Sequence, residues 1–266
     1  MANALLASVD GRIGPPAEAT ISILDEGLLR GDGAFEVIKL YEGHAFRLGA
    51  HVERLGRSAA AIELEFDRTA LESEIEDLLE SGEAPNGCLR LVVTRGGRRV
   101  LTVEELPPFA DSIEIALVEL SPSEILAGVK SLSYAANMQA TRIAAGRGAG
   151  EAVFVRPDGI VREAPTSSIF WVEDGGALRT PALDVGILDS ITRDVLIEAI
   201  DVEEGSFGRD SLLGAREAYL ASTNREVQPI SAVDGAAFDV VGGPATAEAK
   251  RVLAEAVESE RAAATA

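Results

Sequence analysis

The chain has 266 residues, 47% of them hydrophobic and 26% charged, with a formal charge of -20. That composition suits a globular protein of one large or two modest domains, and so negative a surface repels nucleic acid while leaving room for a cationic pocket that steers a small anion. Cys88 is the only cysteine and His44 and His51 the only histidines, which excludes an intramolecular disulfide and leaves little material for a His or Cys metal centre or a Ser-His-Asp triad.

The start, MANALLASVDGR, has no basic region and reaches Asp10 early, so no signal peptide is expected. No segment approaches ~20 continuous apolar residues, and with a lone cysteine the expected setting is a reducing cytoplasm, away from any membrane. Asp10-Gly11 and Glu42-Gly43 each lie between apolar runs and predict hairpins. Leu48, Val52, Leu55, Ala59 and Ile62 recur at helical spacing, and a second helix is predicted from Asp67 to about Leu79. Strands are predicted over Cys88 to Thr94 and Ile113 to Leu120, which makes the first half an α+β domain on an antiparallel sheet.

At Ser121-Pro122-Ser123 the pattern breaks, and the division expected is an N-terminal α+β domain over 1-120, a linker over 121-124 and a C-terminal α+β domain over 125-266. The second half predicts a helix from about Ala135 to Ala145 and hairpins at Pro157-Asp158-Gly159 and Asp174-Gly175-Gly176. A helix follows whose apolar face is Ile191, Val195, Leu196, Ala199 and Ile200, and an Ala/Glu-rich helix over Ala247 to Arg261 closes the chain. Gly31-Asp32-Gly33 and Gly146 to Gly150 do not stand between a strand and a helix, so they read as turns rather than as a dinucleotide fingerprint.

Only three lysines occur, Lys39, Lys130 and Lys250. Lys250 sits beside Glu248 on the closing helix, where a solvated face accounts for it, and Lys39 lies in the alternating strand AFEVIKLYEG with solvent as its ordinary destination. Lys130, in AGVKSLSYAANMQA, has small and apolar neighbours and no adjacent acid; it is either a plain loop lysine or a desolvated amine able to form a Schiff base. Glu163, in DGIVREAPTSSIFWV, is a surface carboxylate or a site acid. Ile191 and Thr192 open a helix after Asp189-Ser190, which serves equally for phosphate binding and for capping. Arg54 is an anion ligand or the partner of a surface acid such as Glu53.

Taken in order, ISILDEGLLRGDGAFEVIKLYEGHAFRLGAHVERLGRSA, VKSLSYAANMQATRIAA, EAVFVRPDGIVREAPTSSIF, GILDSITRDVL and YLASTNREVQPI resemble the class IV aminotransferases, the group of branched-chain and D-amino-acid transaminases and aminodeoxychorismate lyase. The resemblance spans nearly the whole chain. It implies the two-domain fold-type IV architecture, with a small N-terminal α/β sandwich and a larger, barrel-like C-terminal domain. It also implies pyridoxal 5′-phosphate (PLP) between the domains and a homodimer whose loops complete the neighbour's site.

By the same resemblance Lys130 matches the lysine that carries the cofactor and moves the proton, and Glu163 the acid that keeps the pyridine nitrogen protonated. Arg54, Ile191, Thr192 and Thr223 match the phosphate cradle, with Ser222 adjacent, and Tyr134 matches a cofactor-positioning tyrosine. Arg30 in LLRGDG stands where many relatives carry an aromatic residue, and it, Phe35 and Arg98 of the loop TRGGRRV are the expected substrate-binding residues. Arg98 and Arg99 read equally well as loop charges paired with Glu104 or Glu105. Arg98 is followed by Arg99 and Val100, not by the histidine two positions on that the D-amino-acid enzymes usually have, so the substrate clamp is altered. Glu36 in GAFEV, where the lyases often have threonine, speaks against the lyase. The expected activity is amino-group exchange between an amino acid, of D configuration by preference, and a 2-oxo acid such as 2-oxoglutarate. The rivals are a branched-chain transaminase, the lyase and a PLP-binding protein without turnover.

Overall fold

The computed structural model describes residues 4-82, 86-120 and 123-265. Within them the chain forms two compact units, one of Met1–Pro108 with Val129–Tyr134, the other of Phe109–Gly128 with Ala135–Ala266.

The first unit contains β1 (Ala4–Val9), β2 (Arg12–Gly14), α1 (Glu26–Arg30), β3 (Gly33–Tyr41), β4 (His44–Ala45), α2 (Leu48–Ala61), α3 (Arg68–Glu80), β5 (Gly87–Thr94) and β6 (Arg99–Glu104). Its strands form one sheet in the order β2-β1-β6-β5-β3-β4, antiparallel at every junction. Both hairpins form where the Asp-Gly and Glu-Gly pairs predict them, with Asp10, Gly11, Glu42 and Gly43 all at positive φ. In β3, Ala34, Glu36, Ile38 and Leu40 fall on one face by the period of two, and all four are fully buried. Leu55, Leu71, Ile75 and Leu78 of the two long helices complete that core with Leu89 and Leu91 of β5. Asp67 caps α3 by accepting from the Ala70 amide, which fixes the helix start where the pattern places it.

The second unit contains β7 (Ile113–Glu119), α4 (Ala135–Gly146), β8 (Glu151–Val155), β9 (Ser168–Val172), β10 (Leu178–Pro181), α5 (Ile191–Ala199), β11 (Glu203–Gly205), α6 (Arg209–Leu213), β12 (Glu217–Ser222), β13 (Glu226–Val233), β14 (Ala236–Ala237) and α7 (Pro244–Thr265). Its curled sheet runs β11-β10-β9-β12-β13-β7-β8, with β14 on β13. Trp171 and Phe170 of β9 and Tyr219 of β12 are wholly buried, and Phe170 stacks on Tyr219 at 5.0 Å.

The structure departs from the sequence reading in several places. α1 and β6 were not expected: α1 is a five-residue helix closed by Gly31 in the left-handed region, and β6 emerges because TRGGRRV is the turn of the β5–β6 hairpin. Ala199 is exposed and Ile200 is the C-cap of α5, so the apolar face of that helix is narrower than its spacing suggests. The closing helix begins three residues earlier than expected, at Pro244. β7, counted with the first half, pairs in parallel with β8 and β13 and so belongs to the second unit's sheet. Val129–Tyr134, beyond the expected linker, belongs to the first unit, because Lys130 and Leu132 bond to β3. Ser121 and Pro122 of that linker lie outside the described residues.

Candidate active site

In the first unit the segment carrying Lys130 is laid against β3 by main-chain bonds: the Phe35 amide donates to the Lys130 carbonyl at 3.0 Å, and the Leu132 amide to the Gly33 carbonyl at 2.8 Å. The Lys130 amide itself donates to Ser58 Oγ of α2 at 3.1 Å. A β-carbon on Gly33 would lie 2.5 Å from the Val93 carbonyl oxygen, so only glycine permits this approach. The Lys130 ammonium lies 4.5 Å from the Phe35 ring centroid and 6.0 Å from that of Tyr134, and the two rings meet edge to face at 5.2 Å. Phe35, Lys130 and Tyr134 are thus neighbours. Lys39 instead lies over Tyr41, and Lys250 is exposed on α7.

Arg54 is close by, on the face of α2 that carries His51, Leu55 and Ser58. Its expected alternative partner, a surface acid such as Glu53, is not the one found. Arg54 Nε and Nη2 donate to the two carboxylate oxygens of Glu36, each at 2.7 Å, and His51 Nδ1 lies 2.8 Å from Glu36 Oε2. All three side chains are buried. Burial raises the Glu36 carboxyl, but the hydrogen bonds from Arg54 and His51 and the charge of Arg54 outweigh it and hold the group at about 2. Burial pushes the His51 imidazole below its ordinary value, with the charges of Arg54 and Lys130 adding to it against the pull of Glu36. His51 is therefore neutral near pH 7, with Nδ1–H donating to the carboxylate.

Arg30, at the end of α1, has a side chain 73% exposed and pairs with Glu26 at 3.3 Å. Arg98 donates to Asp10 at 2.5 Å and lines a cleft with Arg12, Ile13 and Ser22. Arg99 forks onto Glu74, its Nη2 at 2.7 Å, while Glu104 is taken by Arg90. The acids that pair with Arg98 and Arg99 are therefore Asp10, just after β1, and Glu74 of α3, and not the sequence-near Glu104 and Glu105.

In the second unit Glu163 follows the Val155–Val161 bridge and accepts from the Leu188 amide at 3.1 Å. Arg162, beside it, is buried, and its Nη2 lies 2.8 Å from where a β-carbon on Gly186 would stand; Gly186 holds φ +84°. Glu163 thus bonds to the loop that leads into α5, and Arg162 lies close against it at Gly186. Ser190 Oγ caps that helix by accepting from the Arg193 amide at 3.4 Å, so of the two expected caps Ser190 is the one used. Ile191 and Thr192 are buried in the first turn, where amides have no carbonyl within the helix to bond. Arg193 points away, to the Pro181 carbonyl and Glu204. Ser222 ends β12 and Thr223 opens the β12–β13 turn, which Arg225 braces through Glu151 and Gln228, each at 2.6 Å.

The first unit holds an amine over two aromatic rings and a buried guanidinium, and the second holds a half-buried carboxylate and a capped helix start; each is a group type that a phosphorylated pyridine aldehyde binds. The profile of the family described as amino-transferase class IV matches residues 33-233. The chain belongs to the class IV aminotransferases. It is 30% identical to a D-alanine aminotransferase of Bacillus licheniformis over 95% of this chain and 97% of that one. It is 32% identical to a putative branched-chain-amino-acid aminotransferase of Methanocaldococcus jannaschii, over 85% and 87% of the two chains. It is 29% identical to an aminodeoxychorismate lyase of Bacillus subtilis, over 90% of each chain. A solved structure of a hypothetical aminotransferase from Mycobacterium tuberculosis, in an α-ketoglutarate- and PMP-bound form, superposes with a TM-score of 0.87 at 25% identity, covering 96% of this chain and 99% of that one. Class IV aminotransferases are PLP enzymes, and PLP is the cofactor of this one. No described helix is long and apolar enough to cross a membrane.

Two members of the buried cluster around Arg54 went unread in the sequence, Glu36 as its acid and His51. Glu36 stands in the apolar row Ala34, Ile38, Leu40, and His51 and Arg54 are three apart on the buried face of α2. An acid in an apolar row needs a buried cation, and that was the available signal.

Proposed function

We propose that this aminotransferase moves an amino group between a D-amino acid and a 2-oxo acid such as 2-oxoglutarate, with Lys130 as its catalytic lysine. The observation that carries the reading is the setting of Lys130, the lysine whose main chain is fixed on both sides and whose ammonium lies against Phe35 and Tyr134. PLP, when bound, supplies the electron sink for the substrate's α-carbon. Lys130 would hold the cofactor, and its amine would carry the proton to and from that carbon. Glu163, oriented by the Leu188 amide, holds the ring nitrogen protonated. Arg54, the amides of Ile191 and Thr192, and Thr223 with Ser222 beside it hold the phosphate, and Tyr134 orients the ring.

Arg30 and Phe35 bind the substrate, with Arg98 as a further carboxylate ligand. Arg30 is the stronger of the two arginines, because an exposed pair with Glu26 contributes little and is readily exchanged, whereas Arg98 is closely bonded to Asp10. Several similar chains bear the name D-alanine aminotransferase, which supports the D configuration. The protein is proposed to act as a homodimer, to be measured by light scattering on the eluting holoenzyme.

The test is bleaching of the holoenzyme's visible colour by a panel of D- and L-amino acids, with aminodeoxychorismate added to the panel. D-Alanine and D-glutamate are expected to bleach it, with 2-oxoglutarate restoring the colour. Bleaching by L-leucine and L-valine alone would assign a branched-chain transaminase, and pyruvate release from aminodeoxychorismate would assign the lyase.

A further inference from the structure

Glu36 is the one fully buried acid of β3, and nothing in the proposed reaction uses it. Its carboxylate takes both arms of a side-on fork from Arg54, Nε to Oε1 and Nη2 to Oε2, at 2.7 Å each, and His51 closes the second oxygen at 2.8 Å. A guanidinium held by two parallel charge-assisted bonds keeps one plane and one direction, whereas a lone arginine on a helix samples several rotamers. Arg54 is nine-tenths and more buried, and its charge and that of the half-buried Lys130 both act on His51. A guanidinium in so dry a place needs a counter-charge, and Glu36 supplies it.

We propose that Glu36 is a positioning residue for the cofactor's phosphate, holding fixed the Arg54 guanidinium that binds it. The inference rests on Arg54 being a phosphate ligand. His51, neutral and donating, saturates the carboxylate and keeps it from turning away from the fork. Replacing Glu36 by glutamine sets an amide N–H₂ against N–H donors of Arg54 or His51, removes the counter-charge, and frees the guanidinium to turn.

The experiment titrates the apoprotein with PLP and, separately, with pyridoxal, which has the aldehyde and ring nitrogen but no phosphate. Wild type, Glu36→Gln, Arg54→Leu and the double variant are compared. Glu36→Gln is expected to raise the PLP dissociation constant at least tenfold, equivalent to ~1.4 kcal/mol, with the pyridoxal constant within about twofold of wild type. In the Arg54→Leu background the same change should add nothing, because its effect passes through Arg54. A general loosening of the fold would weaken both ligands together. If Arg54→Leu lowers the PLP-to-pyridoxal preference and Glu36→Gln does not, the inference is overturned and the reading of Arg54 stands. If Arg54→Leu leaves that preference unchanged, the reading of Arg54 fails and takes the inference with it. Should Glu36→Gln not fold, Glu36→Asp keeps the charge but is too short to hold both arms. A lowered PLP preference there supports the proposal, and a wild-type preference overturns it.

Discussion

Gly33→Ala tests the junction on which the site is built. The added β-carbon would stand 2.5 Å from the Val93 carbonyl oxygen and 2.6 Å from Leu132 Cδ1, and the first of these is backbone in the middle of a sheet. Relief requires β3 to move from β5 or the Lys130 segment to move from β3, which lengthens the 2.8 Å bond from the Leu132 amide to the Gly33 carbonyl. Overpacking of this kind costs about 1 to 3 kcal/mol and a weakened buried hydrogen bond about 1 more, so the total is roughly 2 to 4 kcal/mol. At this chain length each kcal/mol lowers Tm by about 2 to 4 °C. Calorimetry of the apoprotein should therefore show a fall of ~4 to 16 °C, with weaker PLP binding as the Lys130 segment shifts. Gly56→Ala is the control. Gly56 lies inside α2 with nothing within 4 Å of a β-carbon, and alanine there should stabilise by up to ~1 kcal/mol. A Gly33→Ala melt within 2 °C of wild type would refute the close approach as a requirement for glycine.

Glu163→Gln should slow the amino-acid half-reaction sharply while leaving Tm nearly unchanged, and equal half-reaction rates would make Glu163 a surface residue only. Arg30→Ala should cost no more than ~1 kcal/mol of stability, because its pair with Glu26 is exposed, yet raise the apparent KM for 2-oxoglutarate about tenfold. Matching constants would remove Arg30 from the substrate site. The Glu36 carboxyl falls from 4.5 to about 2 on folding, so its stabilisation of roughly 3 kcal/mol is complete above the unfolded value and is lost as pH drops from about 4.5 through 2. Urea unfolding at pH 7, 4 and 3 should show the gap between wild type and Glu36→Gln shrinking toward acid, and a gap constant with pH would contradict that assignment.

Local elements were legible where one physical signal dominated. The Asp-Gly and Glu-Gly pairs fix two hairpins because left-handed backbone is cheapest there, and α2 follows from its apolar spacing. Long-range pairing was not legible. β7 looks like any alternating strand, and only its partners β8 and β13, the latter more than 100 residues on, place it in the second sheet. The return of Val129–Tyr134 to the first unit rests likewise on bonds to residues 33 and 35. Lys130 emerged from scarcity, since three lysines can be judged one by one, but its aromatic setting depends on Phe35, some 95 positions earlier. Arg99 found Glu74 and not the sequence-near Glu104 or Glu105 because α3 packs against β1 and β6, beside the strand end that carries Arg99, while Arg90 takes Glu104. Glu36 was hidden for the opposite reason: it looked like an ordinary strand acid until its row proved to be core.

The central claim is that Lys130 carries the cofactor, and borohydride reduction of the PLP-loaded protein followed by peptide mass mapping tests it most directly. Reduction should fix one pyridoxyl group on Lys130, in the peptide containing VKSLSY, and Lys130→Ala should be folded, colourless with PLP and unlabelled. A pyridoxyl group on Lys39 or Lys250, or full turnover in Lys130→Ala, would contradict the account.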